Sequence, residues 1–127
     1  MQGLTYDAGA LIAAARGNTT MWRIHRLALS EGSAPTVPAP ALAQVWRGGS
    51  KQAQLARLLN GCHLADFAVI DAYEVGQLLG LGKTSDVIDA SVLLTAKVRR
   101  DIVVTSDPND LRHLADALGV QVKFKVV

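Results

Sequence analysis

The sequence predicts an α/β fold in which helices cover both faces of a mainly parallel central sheet of about five strands. Short β-rich runs alternate with longer helical patterns along the chain, an order that is typical of parallel sheets. Half of the residues are hydrophobic but only 5% are aromatic, which indicates an aliphatic core between helices and a small sheet. A chain of 127 residues without an internal boundary predicts a single domain spanning 1–127.

The predicted strands are short apolar or β-branched runs bounded by polar or turn residues. They lie at 4–6, 36–38, 67–70, 102–105 and 120–127. In the last run Val122, Phe124 and Val126 alternate with polar residues, which is typical of a half-exposed edge strand. The predicted helices follow the apolar period of an α-helix. They lie at 9–15, 20–30, 40–46, 50–60, 72–80, 86–99 and 109–118.

The segment "GLGKTS" at 80–85 ends like a phosphate-binding P-loop but does not complete the motif. Gln77 stands where the pattern requires glycine, and the segment follows a predicted helix, whereas a P-loop follows a strand. We therefore predict a glycine loop that ends one helix, with Thr84 or Ser85 opening the next.

The composition excludes several classes of protein. A net charge of +2 does not by itself indicate nucleic-acid binding, because phosphate binding needs clustered charge. Cys62 is the single cysteine, which excludes an intrachain disulfide and fits a reducing compartment. The start "MQGLTYDAG" lacks a basic leader region, and no apolar run approaches the ~18 residues of a membrane span. We expect a cytoplasmic protein that does not contact the membrane.

Carboxylates follow several predicted strands or open predicted helices. Asp7 follows "LTY", Asp71 follows "FAVI", Asp107 follows "IVVTS", and Asp86 and Asp89 open the helix at 86–99. Singly, each is explained as a cap or first-turn acid that satisfies free backbone N–H groups. Together they indicate a ligand site, because the carboxyl ends of parallel strands share one edge of the sheet. We expect Asp7 and Asp107 to converge there.

Asp89 is the hardest of these acids to explain as a cap, because it lies a turn into a helix that continues with the apolar run "ASVLLTA". A carboxylate there is costly to bury without a partner or a cation, whereas Asp86 is interpreted as the solvated cap. Three clustered carboxylates without cysteine or histidine partners are typical ligands of Mg²⁺ or Mn²⁺. The histidines, His25, His63 and His113, have no metal-ligand spacing, which disfavours zinc.

Four stretches, as a set, resemble the PIN-domain family, and most closely the ribonuclease toxins of VapBC toxin–antitoxin systems. They are "TYDAGALIAAARG" (5–17), "VPAPALAQVWRGG" (37–49), "TSDVIDASVLLTAK" (84–97) and "VVTSDPNDLRHLA" (103–115). The resemblance covers nearly the whole chain and implies a PIN-like α/β/α sandwich and a metal-dependent endoribonuclease that inhibits translation and growth. It also implies a homodimer and a cognate VapB-type antitoxin whose tail occupies the active-site groove.

By the same resemblance, Asp7, Asp89 and Asp107 are the acids of the metal site, and Asp86 and Asp110 could support them. The implied cofactor is Mg²⁺, with Mn²⁺ as an alternative.

Gln44 departs from the family pattern, because the family usually has glutamate at this place in the sequence. We place it on the opening turn of the predicted helix at 40–46. Glutamine keeps a carbonyl oxygen of similar size but adds no negative charge, so it is expected to weaken cation binding without disturbing the fold. Either this chain is an attenuated or differently tuned member, or the residue was introduced to make a lethal toxin tolerable to its host. The preserved shape favours the second explanation.

Basic residues near the acids are expected to admit RNA. Arg16 and Arg47 lie near the ends of the first two resembling segments, and Lys51 follows the second. Arg47 is favoured because it is predicted to lie one helical turn from Gln44. Trp46 could stack on a base, but a lone tryptophan in an amphipathic helix favours the core or a dimer interface.

Two other classes of protein are considered. A PIN-like module could bind RNA or an antitoxin without cutting, and Gln44 is the direct reason to keep this alternative. A phosphoacceptor receiver domain also carries acids at its strand ends, but it needs an acidic pair after the first strand and a lysine after the last catalytic strand. Asp7 stands alone and "VVTSDPND" contains no lysine, so we discount the receiver domain.

Overall fold

The computed structural model describes residues 2–127, and within them five strands form one sheet in which all neighbouring strands are parallel. The strands are β1 (Leu4–Tyr6), β2 (Thr36–Pro38), β3 (His63–Ala65), β4 (Ile102–Thr105) and β5 (Phe124–Val126). Their order across the sheet is β3-β2-β1-β4-β5. The predicted class, α/β with a sheet of about five strands, is confirmed.

Seven α-helices connect the strands within the same residues. They are α1 (Ala8–Ala15), α2 (Thr19–Ser30), α3 (Ala39–Val45), α4 (Ala53–Leu59), α5 (Val69–Gly82), α6 (Val87–Arg99) and α7 (Asn109–Leu118), with a 3-10 helix at Ser50–Gln52. Helix α1 contacts α2, α3 and α4 in one layer, while α5, α6 and α7 contact one another in the other. None of the helices in the described residues is long and apolar enough to cross a membrane.

The core is aliphatic, as the composition predicts. Leu11 of α1, Val103 of β4, Leu93 of α6 and Leu111 of α7 are each no more than 1% exposed. Burying one such side chain stabilises the fold by about 1.5–3 kcal/mol. Because successive strand residues face opposite layers, both faces of the central strands must be covered, which the two helical layers achieve.

The third strand lies earlier than predicted, at His63–Ala65, and the predicted strand at 67–70 is wrong. Val69 and Ile70 open α5 instead, and 75% and 64% of their surfaces remain exposed. Helix α5 starts here because the Ala68 backbone N–H donates a 2.8 Å hydrogen bond to Asp71 Oδ2, which satisfies a donor at the helix start. Asp71 therefore belongs to a helical turn and does not follow a strand.

The loop between α5 and α6 also differs from the prediction. Lys83, which is not a glycine, takes the left-handed backbone conformation (φ 53°) that ends α5. Neither Thr84 nor Ser85 caps α6; Asp86 does, because its Oδ1 accepts a 2.9 Å hydrogen bond from the Asp89 N–H. A carboxylate is favoured there by the partial positive charge at a helix N-terminus.

Strand β5 is an edge strand paired with β4, as predicted, but it is shorter than the predicted run at 120–127. Val126 remains 53% exposed, so the predicted burial of alternate residues is not reached at this position. The reason is that an edge strand is covered less completely than a central one.

Candidate active site at the acidic edge of the sheet

Asp7 lies directly after β1 and is 6% exposed. It caps α1, since its Oδ1 accepts a 2.8 Å hydrogen bond from the Ala10 N–H. Burial raises the pKa of the Asp7 carboxyl, hydrogen bonds from Thr105, Ala10 and Gly9 lower it, and the charge of Asp107 raises it again, with a net increase. A buried carboxyl beside another carboxyl is where a cation would be stabilised.

Asp107 follows β4, the strand next to β1, so these two acids lie at the same edge of the sheet. The chain leaves β1 toward β2 and leaves β4 toward β5, which makes the boundary between β1 and β4 the point where the direction of winding reverses. Open α/β sheets bind ligands at such a point. Asp107 itself is exposed, and its Oδ1 accepts a 3.2 Å hydrogen bond from the Asn109 N–H.

Asp89 lies in the first turn of α6 and is half-buried. The pKa of the Asp89 carboxyl is raised to about 7. Burial is the largest cause, and the charge of Asp86, a hydrogen bond with Asp86 and the charges of Asp110 and Asp7 raise it further. The negative charges of three other acids thus act on one carboxyl: Asp86 precedes α6, Asp110 lies in α7 and Asp7 follows β1.

The chemistry of these side chains fits a hard divalent cation. Carboxylates are the preferred ligands of Mg²⁺, which keeps several water ligands and often takes only one or two from the protein. The one ion pair within residues 2–127 joins Arg99 to Asp101, so no lysine or arginine neutralises the acids at this edge. The described residues contain no group of three or more His, Cys, Asp or Glu side chains arranged to hold a metal ion together.

The position of Gln44 corrects the prediction from sequence. It does not lie on the opening turn of its helix, because α3 spans Ala39–Val45 and Gln44 is its penultimate residue. Its side chain is exposed. Helix α3 contacts α1 and α6, the helices that begin at Asp7 and Asp86, which places α3 beside the acidic edge.

Arg16 ends α1, at the opposite end of that helix from Asp7, and it forms no ion pair with the acids within residues 2–127. An open groove of about 470 Å³ is lined by Gly9, Arg16, Asn18 and Ser106, together with apolar residues of α1. Gly9 and Ser106 are close neighbours of Asp7 and Asp107 in the chain. The exposed guanidinium of Arg16 can therefore meet a negatively charged ligand that approaches the acids from this side.

Arg47 and Lys51 are less clearly connected with the acids. Arg47 lies beyond the end of α3 and not one helical turn from Gln44 as predicted, because Trp46 already has an extended backbone. Its Nη1 donates hydrogen bonds to the carbonyls of Trp46 (2.8 Å) and Ala43 (3.3 Å), so it caps α3. Lys51 is exposed in the 3-10 helix. Trp46 is 41% exposed and so does not belong to the core.

Sequence reasoning missed Thr105 and Ser106. The Thr105 hydroxyl accepts a 3.1 Å hydrogen bond from the Asp107 N–H and donates one of 3.2 Å to the Asp107 carbonyl, so it holds the turn that carries Asp107. Ser106 contacts Gly9 so closely that a side chain at position 9 would collide with its hydroxyl. The signal was present in "IVVTSD", where polar residues end an apolar strand immediately before an acid.

The raised pKa of Asp89 predicts a specific pH dependence of stability in metal-free buffer. Its folded-state pKa of about 7 exceeds the unfolded value, which is about 3.9, so the folded state binds the proton more tightly. The resulting stabilisation is complete below pH ~4 and is lost as the pH rises to about 7. We expect the unfolding free energy of Asp89→Asn not to fall in this way between pH 4 and 7. At pH 8 it should exceed that of the wild type by about 1 kcal/mol, allowing for solvent screening.

Urea denaturation in EDTA across pH 4–8 tests this expectation. The control is Asp66→Asn, which removes an exposed carboxyl from the loop after β3. An Asp89→Asn profile parallel to that of the wild type would contradict the assignment.

The parallel five-strand sheet between two helical layers is an α/β/α sandwich of the PIN type. Two solved structures share this fold along almost the whole chain. VapBC2 from Rickettsia felis, bound to a DNA fragment from their promoter, aligns with a TM-score of 0.74 and 12% identity over 98% of this chain and 98% of that chain. PAE2754 from Pyrobaculum aerophilum aligns with a TM-score of 0.62 and 17% identity over 98% of this chain and 84% of that chain.

At these identities the similarity shows the fold, and the PIN-like fold predicted from the sequence is confirmed. No protein-family model and no curated protein matches the sequence.

Proposed function

We propose that this chain is the toxin component of a type II toxin–antitoxin system and acts as a Mg²⁺- or Mn²⁺-dependent endoribonuclease. The observation that carries the proposal is the position of Asp7 and Asp107, which follow the neighbouring strands β1 and β4 at the winding reversal of the sheet. The shared fold with VapBC2 supports the toxin–antitoxin assignment. Growth inhibition would follow from cleavage of RNA required for translation.

In the proposed mechanism Asp7, Asp89 and Asp107 would hold the cation, with Asp86 and Asp110 as supporting acids. A bound Mg²⁺ or Mn²⁺ would supply Lewis acidity toward the scissile phosphate and would favour deprotonation of the attacking water. The chain's own residues position the reactants. Hydrogen bonds to Thr105 fix the turn of Asp107.

Basic side chains guide the RNA in this mechanism. Arg16 lines the open groove that also contains Gly9 and Ser106, and it is the strongest candidate to hold the RNA strand there. We retain Arg47 and Lys51 as weaker candidates, because Arg47 already caps α3 and Lys51 is simply exposed.

The end groups of the cleaved RNA test the proposed chemistry. We expect cleavage of total cellular RNA to require Mg²⁺ or Mn²⁺, to stop in EDTA and to leave 5′-phosphate ends. Products with cyclic phosphate ends that form without metal would overturn the mechanism.

A catalytically silent PIN-like module that binds RNA or an antitoxin is the second candidate, because Gln44 lacks the charge of the glutamate that the family usually carries. RNA binding without cleavage, even after Gln44→Glu, would favour this module over the enzyme.

For the partners, we propose a VapB-type antitoxin and a second copy of this chain. The second copy would dock on what we call the α5 surface, formed by Phe67, Val69, Ile70, Tyr73 and Val98. The last four are 64–76% exposed, and together the five form an apolar area that suits a protein interface.

Charges of both signs border the α5 surface. A cleft of about 180 Å³ within it is lined by Asp66, Asp71 and Glu74 and also by Arg99. Arg99 Nε is bound to Asp101, but the side chain is 42% exposed, so its Nη groups remain accessible. A two-fold axis would bring the acids of one copy to the Arg99 of the other, as a self-complementary interface requires.

A charge placed in the α5 surface should therefore weaken self-association. We expect Val98→Asp to raise the dimer dissociation constant at least tenfold, about 1.4 kcal/mol, in sedimentation equilibrium. Leu27→Asp is the matched control, because Leu27 is 53% exposed on α2 in the other layer. Equal dissociation constants for both variants, or a monomeric wild type at about 100 μM, would overturn the dimer proposal.

A further inference from the structure

The edge of the sheet opposite the acids carries a second, larger cleft of about 760 Å³. Three of its lining residues stand just before strands: Gln2 before β1, Asp101 before β4 and Lys123 before β5. The cleft therefore lies at the edge where the strands begin. We call it the basic cleft. It lies at the far end of α6 from Asp89, and the 13 residues of that helix correspond to about 20 Å.

Four cationic side chains from separate segments line the basic cleft. They are Lys97 in α6, Arg100 after it, Arg112 in α7 and Lys123 before β5. None of the four forms an ion pair within residues 2–127. The basic cleft therefore concentrates positive charge that the net charge of +2 conceals.

The two acids of the basic cleft do not neutralise these cations. The Asp101 carboxylate accepts hydrogen bonds from the Thr5 hydroxyl (2.9 Å) and Arg99 Nε (3.2 Å), so it is already satisfied. Asp116 is exposed and forms no ion pair within the described residues. An anion entering the basic cleft would meet at least two net positive charges.

One of the cations is held by an aromatic ring, and another stands at a left-handed helix end. The Arg112 guanidinium lies 5.5 Å from the centre of the Phe124 ring, in cation–π geometry at the floor of the basic cleft. Arg100 ends α6 in the left-handed conformation (φ 58°), which glycine adopts with less strain. Helix α7 ends with Gly119 in the same conformation. Position 100 thus carries a positively charged side chain beside the basic cleft, although its backbone conformation is one that glycine adopts with less strain.

We propose that the basic cleft binds the phosphate backbone of an RNA strand at a distance from the bond that is cleaved. The inference rests on the proposed function only for the identity of the ligand as RNA. Guanidinium groups bind phosphate in a bidentate manner, and four cations around 760 Å³ suit a row of phosphates better than a single anion. An RNA must span the length of α6, about 20 Å, to contact both edges.

A binding experiment in EDTA separates this inference from catalysis. Fluorescence anisotropy with a single-stranded 20-nucleotide RNA compares the wild type with the double variant Arg100→Gly/Lys123→Gln. Glycine relieves the left-handed backbone at position 100, so this variant is expected to fold, and a thermal melt checks this. Loss of two phosphate contacts should weaken binding about tenfold and lower the slope of log K against log salt by about 1.4.

The matched control is Arg23→Gln/Lys83→Gly. It also removes two positive charges, one from α2 (Arg23) and one from the left-handed end of α5 (Lys83), where it likewise places a glycine. We expect it to bind the 20-nucleotide RNA nearly as tightly as the wild type. A four-nucleotide RNA, which is too short to contact both edges, should still bind the basic-cleft variant more weakly than the control, because the cleft cations contact its phosphates directly.

Each outcome of the binding experiment supports or overturns RNA binding by the basic cleft, whether or not the protein cleaves RNA. Equal weakening in both double variants means that only net charge acts, and it overturns the inference. Stronger competition by polyglutamate than by RNA would assign the basic cleft to an acidic peptide and would also overturn it. A selective loss in the cleft variant supports it even if no version of the protein cuts RNA, whereas unchanged RNA binding by the cleft variant contradicts it even if the protein does cut RNA.

Discussion

Asp7→Asn is expected to lower metal-dependent RNA cleavage by roughly 10²–10³-fold, the range observed when one electrostatic contributor to an active site is lost. The variant should fold, because asparagine is as good a helix cap as aspartate and can still accept the hydrogen bond from the Ala10 N–H. It also removes a buried carboxyl whose pKa is raised by burial, so its thermal stability should equal or exceed that of the wild type. A fluorogenic RNA substrate with Mg²⁺ and a thermal melt measure the two effects.

Asp101→Asn is the control for Asp7→Asn, since it alters the other strongly buried aspartate, at the opposite edge of the sheet. It weakens the bonds to Thr5 and Arg99 and should therefore reduce stability while the cleavage rate per folded molecule is kept. If Asp7→Asn cleaves as fast as Asp101→Asn, the acidic edge is not the active site. Both variants are best measured in the wild-type chain and again in combination with Gln44→Glu, so that a weak wild-type activity does not hide the loss.

Gln44→Glu is expected to raise metal-dependent cleavage by about 10–100-fold and to lower the Mg²⁺ concentration needed for half-maximal rate. The added charge lies on α3, which contacts α1 and α6 beside the acids, and another carboxylate favours a divalent cation. The Gln44 side chain is exposed and forms no hydrogen bond with the described residues, so the substitution should leave stability unchanged. A magnesium titration of the initial cleavage rate measures the effect.

Gln77→Glu is the matched control, because it makes the same change on an exposed position of α5. An increase for Gln44→Glu that Gln77→Glu lacks, and that Asp7→Asn cancels, would identify Gln44 as a disabling residue in a ribonuclease. If neither Gln44→Glu nor the wild type cuts RNA while both bind it, the chain is better described as a binding module on this fold.

Two of the strands that the structure confirms, β1 and β4, have a sequence signal that depends on burial. "LTY" and "IVVT" lie in the centre of the sheet, where both faces are covered, so their apolar character reports the fold directly. "FAVI" carries the same signal but forms a loop and the start of α5, and its Val69 and Ile70 are exposed. An apolar run can therefore be exposed as well as buried, and a single sequence does not distinguish the two cases.

The candidate site was predicted as a set of acids, but its electrostatics were not. No distance between Asp89 and Asp86, Asp110 or Asp7 can be read from the sequence, and these three neighbours contribute to the raised pKa. Likewise, Arg47 is a basic residue near Gln44 in sequence, and only its contact with the carbonyls of α3 reveals a local structural role.

The sequence by itself determined the α/β class and the placing of acids at strand ends and helix starts. These features follow from local periodicity, from caps and from the rule that parallel strands end at one edge. Only the tertiary structure decided that β3 precedes "FAVI", that Gln44 lies at the end of its helix and that four cations meet in the basic cleft. These features depend on contacts between residues distant in the chain, and the packing of the two layers against the sheet fixes those contacts.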